Sequence, residues 1–131
     1  NKLPSTVRDT LYYYYTGYND SKSGIAFVVK EEEEYKLLKE AYVSEYLEYY
    51  RDLGEEDNMK YVFDQSLTDD LIQEMKIEFL YQFLKNSVSD YKIAAYEKIE
   101  GEHMDCIRII ICNDKTREMI IFDLNDAHSA R

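Results

Sequence analysis

Apolar positions recur along this chain with two different periods, and the change between them divides the sequence into elements. From Glu31 to Leu53 the period is helical. Tyr35, Leu38, Tyr42, Tyr46, Tyr49 and Leu53 stand three and four residues apart, with Glu40, Glu45, Glu48 and Arg51 on the opposite side. Gly54 supplies the stop. A second helix is predicted from Leu67 to about Lys85, where Leu71, Met75, Phe79 and Phe83 make a stripe thickened by Ile72, Leu80 and Leu84. Ser66 suits its N-cap, with Asp69 at the third helical position, and Asn86-Ser87 ends it.

From Tyr91 onward the period falls to two. Tyr91, Ile93, Ala95 and Ile99 alternate with Lys92 and Lys98, as in a strand with one wet face. Asp105 to Cys112 follows, with Ile107, Ile109 and Ile111 on one parity and Cys106, Ile110 and Cys112 on the other. A strand apolar on both faces belongs inside a sheet. Met119 to Leu124 completes an antiparallel meander, with turns at Glu100-Gly101-Glu102 and at Asn113 to Thr116.

Earlier in the chain, Asn19 to Gly24 is a polar, turn-forming cluster that precedes a compact strand, Ile25 to Val29. Residues 1–19 admit two readings. Pro4-Ser5-Thr6 followed by Asp9 resembles a helix start, with Val7, Leu11 and Tyr14 at helical spacing and Gly17 as a stop. Leu11 to Tyr15 is also a run of aromatics that favour strands. The spacing favours a short helix. Glu55 to Asn58 reads as a solvated loop, and Met59 to Phe63 as a short apolar piece of either type.

These elements predict an α+β fold: a mostly antiparallel sheet, made of a C-terminal three-stranded meander plus an N-terminal strand, with two main helices packed on one face. No repeat or linker divides the chain, so residues 1–131 are expected to form a single domain. The element order resembles the helix-on-curved-sheet layout of the cystatin and nuclear-transport-factor folds, without a shared motif, and no function follows from it.

Composition changes this picture mainly through charge. The formal net charge is −11, and residues 30–70 carry fourteen acids against five bases. Such a surface repels phosphate backbones and anionic lipid, which argues against direct nucleic-acid binding, and no run of apolar residues is long enough for membrane insertion. It attracts a basic protein. The two cysteines, Cys106 and Cys112, are too far apart along one strand to bond and suit a reducing, cytoplasmic setting. The chain starts at Asn1, which leaves room for a processed or exported domain.

Candidate chemistry is sparse. His103, Asp105 and Cys106 cannot converge from one strand, because Cys106 points away from the other two, and no second cluster supplies zinc ligands. Asp70, Glu74 and Glu78 would line one side of the second helix as a solvated acidic stripe. Phosphate-loop, dinucleotide and metalloprotease motifs are absent, so no catalytic residue, metal or cofactor is assigned.

Fourteen tyrosines without a tryptophan are the other departure, with one cluster at Tyr12 to Tyr15 and Tyr18. The expected function is a non-enzymatic acidic binding protein that docks on a basic protein surface, of inhibitor or immunity/anti-defence type. Glu31, Glu32, Glu33, Glu34, Glu40, Glu45 and Glu48 would steer the partner, and Tyr49 or Tyr50 would anchor it. An accessory or ligand-binding domain of a larger, cell-surface protein is the alternative, and a small hydrolase or metal enzyme is third. Oligomeric state is not legible in the sequence.

Overall fold

Strands built from tyrosine, isoleucine and valine dominate the molecule. The computed structural model describes residues 7–52, 59–60, 65–100 and 103–127; the side chains of residues 45–52, 59–60 and 99–100 lie outside that description. In chain order the elements are β1 (Val7–Thr16), β2 (Asp20–Val29), α1 (Glu32–Asp52), β3 (Met59–Lys60), β4 (Gln65–Ser66), α2 (Asp69–Glu74), 3-10 turns at Glu78–Gln82 and Val88–Asp90, then β5 (Lys92–Glu100), β6 (Met104–Asn113) and β7 (Glu118–Ala127). Among the described residues the strands form one antiparallel sheet in the order β1-β2-β7-β6-β5-β3, with β4 also pairing with β5. No helix among them is long and apolar enough to cross a membrane.

The α+β class, α1 and the β5–β6–β7 meander agree with the sequence reading, and β6 lies inside the sheet, between β5 and β7. Its two parities face two separate cores. Ile109 and Ile111 pack with Ile120, Phe122, Ile72, Ile77 and Leu80. Ile110 and Cys112 pack with Phe27, Val29, Met119 and Tyr35 of α1. The helical segments therefore cover opposite faces of the sheet, not one face as predicted. A strand sequence apolar on both parities requires this, because an uncovered face would leave half its isoleucines in water.

The same two-sided burial corrects β5. Ala94 and Ala95 are both buried against the α1 face, and a bulge between Ile93 and Ala95 switches the parity midway. Neither face of this strand is simply solvated.

Residues 7–16 form a strand, not a helix, and the predicted start at Pro4-Ser5-Thr6 lies outside the described residues. Val7, Leu11 and Tyr14 have helical spacing, but Leu11 and Tyr14 are exposed and serve no core. Tyr13 decides the conformation instead: its ring stacks on Phe79 at 5.3 Å and meets the edge of Phe83 at 5.7 Å, while the backbone pairs with β2. The predicted turn at Asn19 to Gly24 is likewise mostly strand. The chain reverses at Gly17 to Asn19, closed by Gly17 N–H donating to Asp20 O at 2.7 Å.

The second helix is broken. α2 ends at Glu74, Lys76 takes a positive φ of 59°, Lys76 N–H returns to Gln73 O and Ile77 N–H to Ile72 O, the paired closure of a left-handed C-cap. The break swings Ile77 inward beside Ile72 and Leu80, all fully buried, which a straight helix would not allow. The acidic stripe Asp70, Glu74, Glu78 does not form, since Glu78 opens a separate 3-10 turn. The N-cap is Thr68, not Ser66, which belongs to β4: Thr68 Oγ1 accepts from Leu71 N–H at 3.1 Å. Thr68→Ala should cost about 1 kcal/mol in urea denaturation, and Thr68→Ser should recover most of it. The expected stop at Gly54, the loop at Glu55 to Asn58 and the turn at Gly101-Glu102 lie outside the described residues, as do residues 61–63 of the apolar piece.

Candidate functional site

The acids that open α1 are presented to solvent on a firmly held helix. Glu31, Glu32, Glu33 and Glu34 are all exposed, as is Glu40, and Glu32 to Glu34 occupy the first turn, where the helix dipole favours negative charge. Glu32 makes an i,i+4 contact with Lys36 at 3.8 Å, largely in water and worth little. One turn further, the Tyr35 hydroxyl donates to Asp114 Oδ1 at 2.6 Å and Lys39 Nζ reaches the same oxygen at 3.4 Å, tying α1 to the β6–β7 turn. Burial first, then neighbouring Cys112 and Asp114, push the Tyr35 hydroxyl well above its ordinary range. The hydrogen bond from Tyr35, helped by Lys39, holds the Asp114 carboxyl below its own. Glu45, Glu48, Tyr49 and Tyr50 belong to the later turns of α1, and their side chains lie outside the described residues.

The exposed aromatics sit elsewhere. Tyr12 and Tyr14 are 76% and 77% exposed on one face of β1, and Tyr18 at the hairpin reversal is 99% exposed. Tyr35 is buried and Tyr42 half-buried. The tyrosine run was visible in the sequence, but its placement depends on β1 being an edge strand.

A polar row crosses the α1 face of the sheet. Register aligns Tyr14 with Ser23, Ser23 with Asp123, Asp123 with Arg108 and Arg108 with Glu97, across five strands. Arg108 Nε donates to Asp123 Oδ1. Glu97, at the inner end, is fully buried, and neither carboxylate oxygen has a hydrogen-bond partner among the described residues. Burial raises its pKa to about 7, with Arg108 opposing and Asp123 adding to the shift. The sequence held a sign of this residue, an acid on the apolar parity of the Tyr91–Ile99 alternation.

Glu118, also buried, is by contrast fully satisfied, accepting from Tyr91, Asn86 and Thr116, each at 2.7 Å. That network locks the β6–β7 turn to the segment before β5. Burial and the hydrogen bond to Glu118 raise the Tyr91 hydroxyl.

On the opposite face, beneath the end of α2, a cleft of about 360 Å³ mixes Lys22, Lys76 and Lys98 with four acids, so it offers no field of a single sign. Among the described residues no three His, Cys, Asp or Glu side chains are grouped to hold a metal. His103 is exposed before β6, Cys106 is half-buried and Cys112 buried, and the two cysteines are not joined in a disulfide. No family model matches this chain, and no curated protein or solved structure matches it either.

Proposed function

We propose that the chain is a non-enzymatic acidic protein that docks on a basic protein surface, as an inhibitor or immunity/anti-defence protein does. The observation that carries this reading is the exposed tetrad Glu31 to Glu34, with Glu40 beyond it, on a helix anchored by Tyr35 and Lys39 to Asp114. Charges held on a rigid element keep their field fixed in direction, so a basic partner is drawn in and oriented before contact. Glu45 and Glu48 extend the acidic sequence along α1, and Tyr49 or Tyr50 provides the aromatic anchor. Two cysteines not joined in a disulfide suit a cytoplasmic setting.

The test begins with capture from host lysate at low and high salt, followed by association kinetics with the retained basic protein. Reversing Glu33, Glu34 and Glu40 to Lys should slow association by roughly tenfold or more at low salt, with dissociation and thermal stability little changed. An association rate indifferent to both the reversal and added salt would sink the reading. The alternative, an accessory ligand-binding domain, draws on the cleft beneath α2; recovery of no basic protein would shift weight to it.

A further inference from the structure

We propose that the outer edge of β1 is a self-association surface, on which a second copy of this chain adds its own β1 antiparallel about a twofold axis, joining the two sheets into one. β1 ends the sheet order, so its outward backbone groups have no partner strand among the described residues. Its first half carries the devices that discourage edge pairing: Arg8 and Asp9 are charged, Asp9 takes a positive φ of 53°, and the register breaks between Arg8 and Leu11. The second half carries none of them. Leu11 to Thr16 pairs one-to-one with Ala26 to Ser21, without bulge, proline or charge, and every residue from Tyr12 on is a strong strand former.

Charge selects a second copy as the occupant. The chain carries −11 overall, concentrated in residues 30–70, and Leu11–Thr16 is an uncharged window within it. Two such windows meet without burying an unpaired ion, whereas a basic partner would gain nothing there. Geometry then narrows the register. Pairing about a twofold normal to the sheet keeps each face continuous, so even-numbered residues must oppose even-numbered ones. Centring on Tyr13 sets Tyr12 of one copy opposite Tyr14 of the other, twice over, which turns the two most exposed tyrosines of the strand into cross-strand aromatic pairs. On the other face Lys22 lies over the Tyr15 ring, 5.6 Å from its centroid, and Tyr13 is stacked on Phe79, so those rings are already engaged within one copy.

This surface is separate from the acidic face of α1, and salt distinguishes the two. Added salt screens the repulsion between two acidic bodies and should strengthen self-association, while it weakens docking on a basic partner. Sedimentation velocity of the full chain should give twice the 15.7 kDa mass of one copy, with the dimer fraction rising with protein and salt concentration. Tyr14→Lys, at an exposed position, should return the mass to one copy with an unchanged circular dichroism spectrum. As a register test, Tyr12→Cys and Tyr14→Cys chains mixed under mild oxidation should cross-link through residues 12 and 14, and neither should do so alone. A one-copy mass for the unsubstituted chain at every concentration, a Tyr14→Lys chain that still dimerises, a dimer that added salt dissociates, or a mixture without the 12–14 link would each overturn the proposal.

Discussion

Gly24→Ala should destabilise the fold by roughly 1–3 kcal/mol, and Gly24→Val by more. A Cβ on Gly24 would fall against Cδ1 and Cε1 of Phe122, closer than any two such atoms can sit. The ring cannot simply step aside. Phe122 is fully buried and meets Phe79 at 4.8 Å and Phe83 at 5.4 Å, both edge-on, and Phe79 is itself stacked on Tyr13. Moving Phe122 would disturb the aromatic cluster that closes this face of the sheet. Phe122→Ala alone should cost about 3–5 kcal/mol. In that background the ring is gone and only the Ile121 carbonyl oxygen stays close, at 3.2 Å, so adding Gly24→Ala should cost much less than it does in the parent. Urea denaturation of the single and double variants measures the coupling. Additive losses would show that the glycine is needed for something other than the ring above it.

The same glycine shows where the sequence was legible and where it was not. Asn19 to Gly24 has the composition of a turn, and local chemistry alone predicts one. The glycine is there for a long-range reason: it faces Phe122, nearly a hundred residues later, across β2 and β7. The helix reading of Val7, Leu11 and Tyr14 failed similarly: the aromatic run Leu11 to Tyr15 pointed to the strand that forms, but the partner that holds Tyr13 in it is Phe79 on the segment after α2. The predicted second helix had part of its core right and the wrong backbone. Ile72, Leu80 and Phe83 reach the core, Leu71, Met75, Phe79 and Leu84 only pack half-buried against it, and Ile77, absent from the predicted stripe, is fully buried, because the chain turns around a left-handed residue, Lys76, that no glycine or asparagine advertised. β6 was legible because its signal, two apolar parities between turn residues, is local. That signal also implied cover on both faces, so the opposite placement of the helical segments was readable in principle. Of the candidate site, the exposure of Glu31 to Glu34 and Glu40 follows from helical period and charge. The exposed pair Tyr12 and Tyr14 and the buried Glu97 depend on which strand is at the edge and where the bulge falls, and both are properties of the assembled sheet.

Glu97→Gln should make the protein more stable above neutrality and leave it nearly unchanged in mild acid. The folded state holds the Glu97 carboxyl at a pKa of about 7, against 4.5 for an unperturbed glutamate. Between those values the folded chain keeps a proton that the unfolded chain releases, so stability falls as pH rises through the window and levels off above it. The full loss is on the order of 3 kcal/mol, and the glutamine variant, neutral at every pH, does not suffer it. The difference in unfolding free energy between variant and parent should therefore grow from near zero at pH 4.5 to its plateau just above pH 7. Asp114, whose carboxyl is lowered in the fold, changes stability with the opposite sign and only in more acid solution. Arg108 sets where the window ends, because its guanidinium opposes the burial effect on the glutamate two strands from Asp123. In Arg108→Met the folded pKa should move higher still, extending the decline in stability further into alkali. Combining the two substitutions should remove that extension, since no carboxyl remains at position 97 to be discharged. A parent and a Glu97→Gln variant with parallel pH profiles would mean that the carboxylate is solvated in solution and that the row ending at Glu97 is open to water.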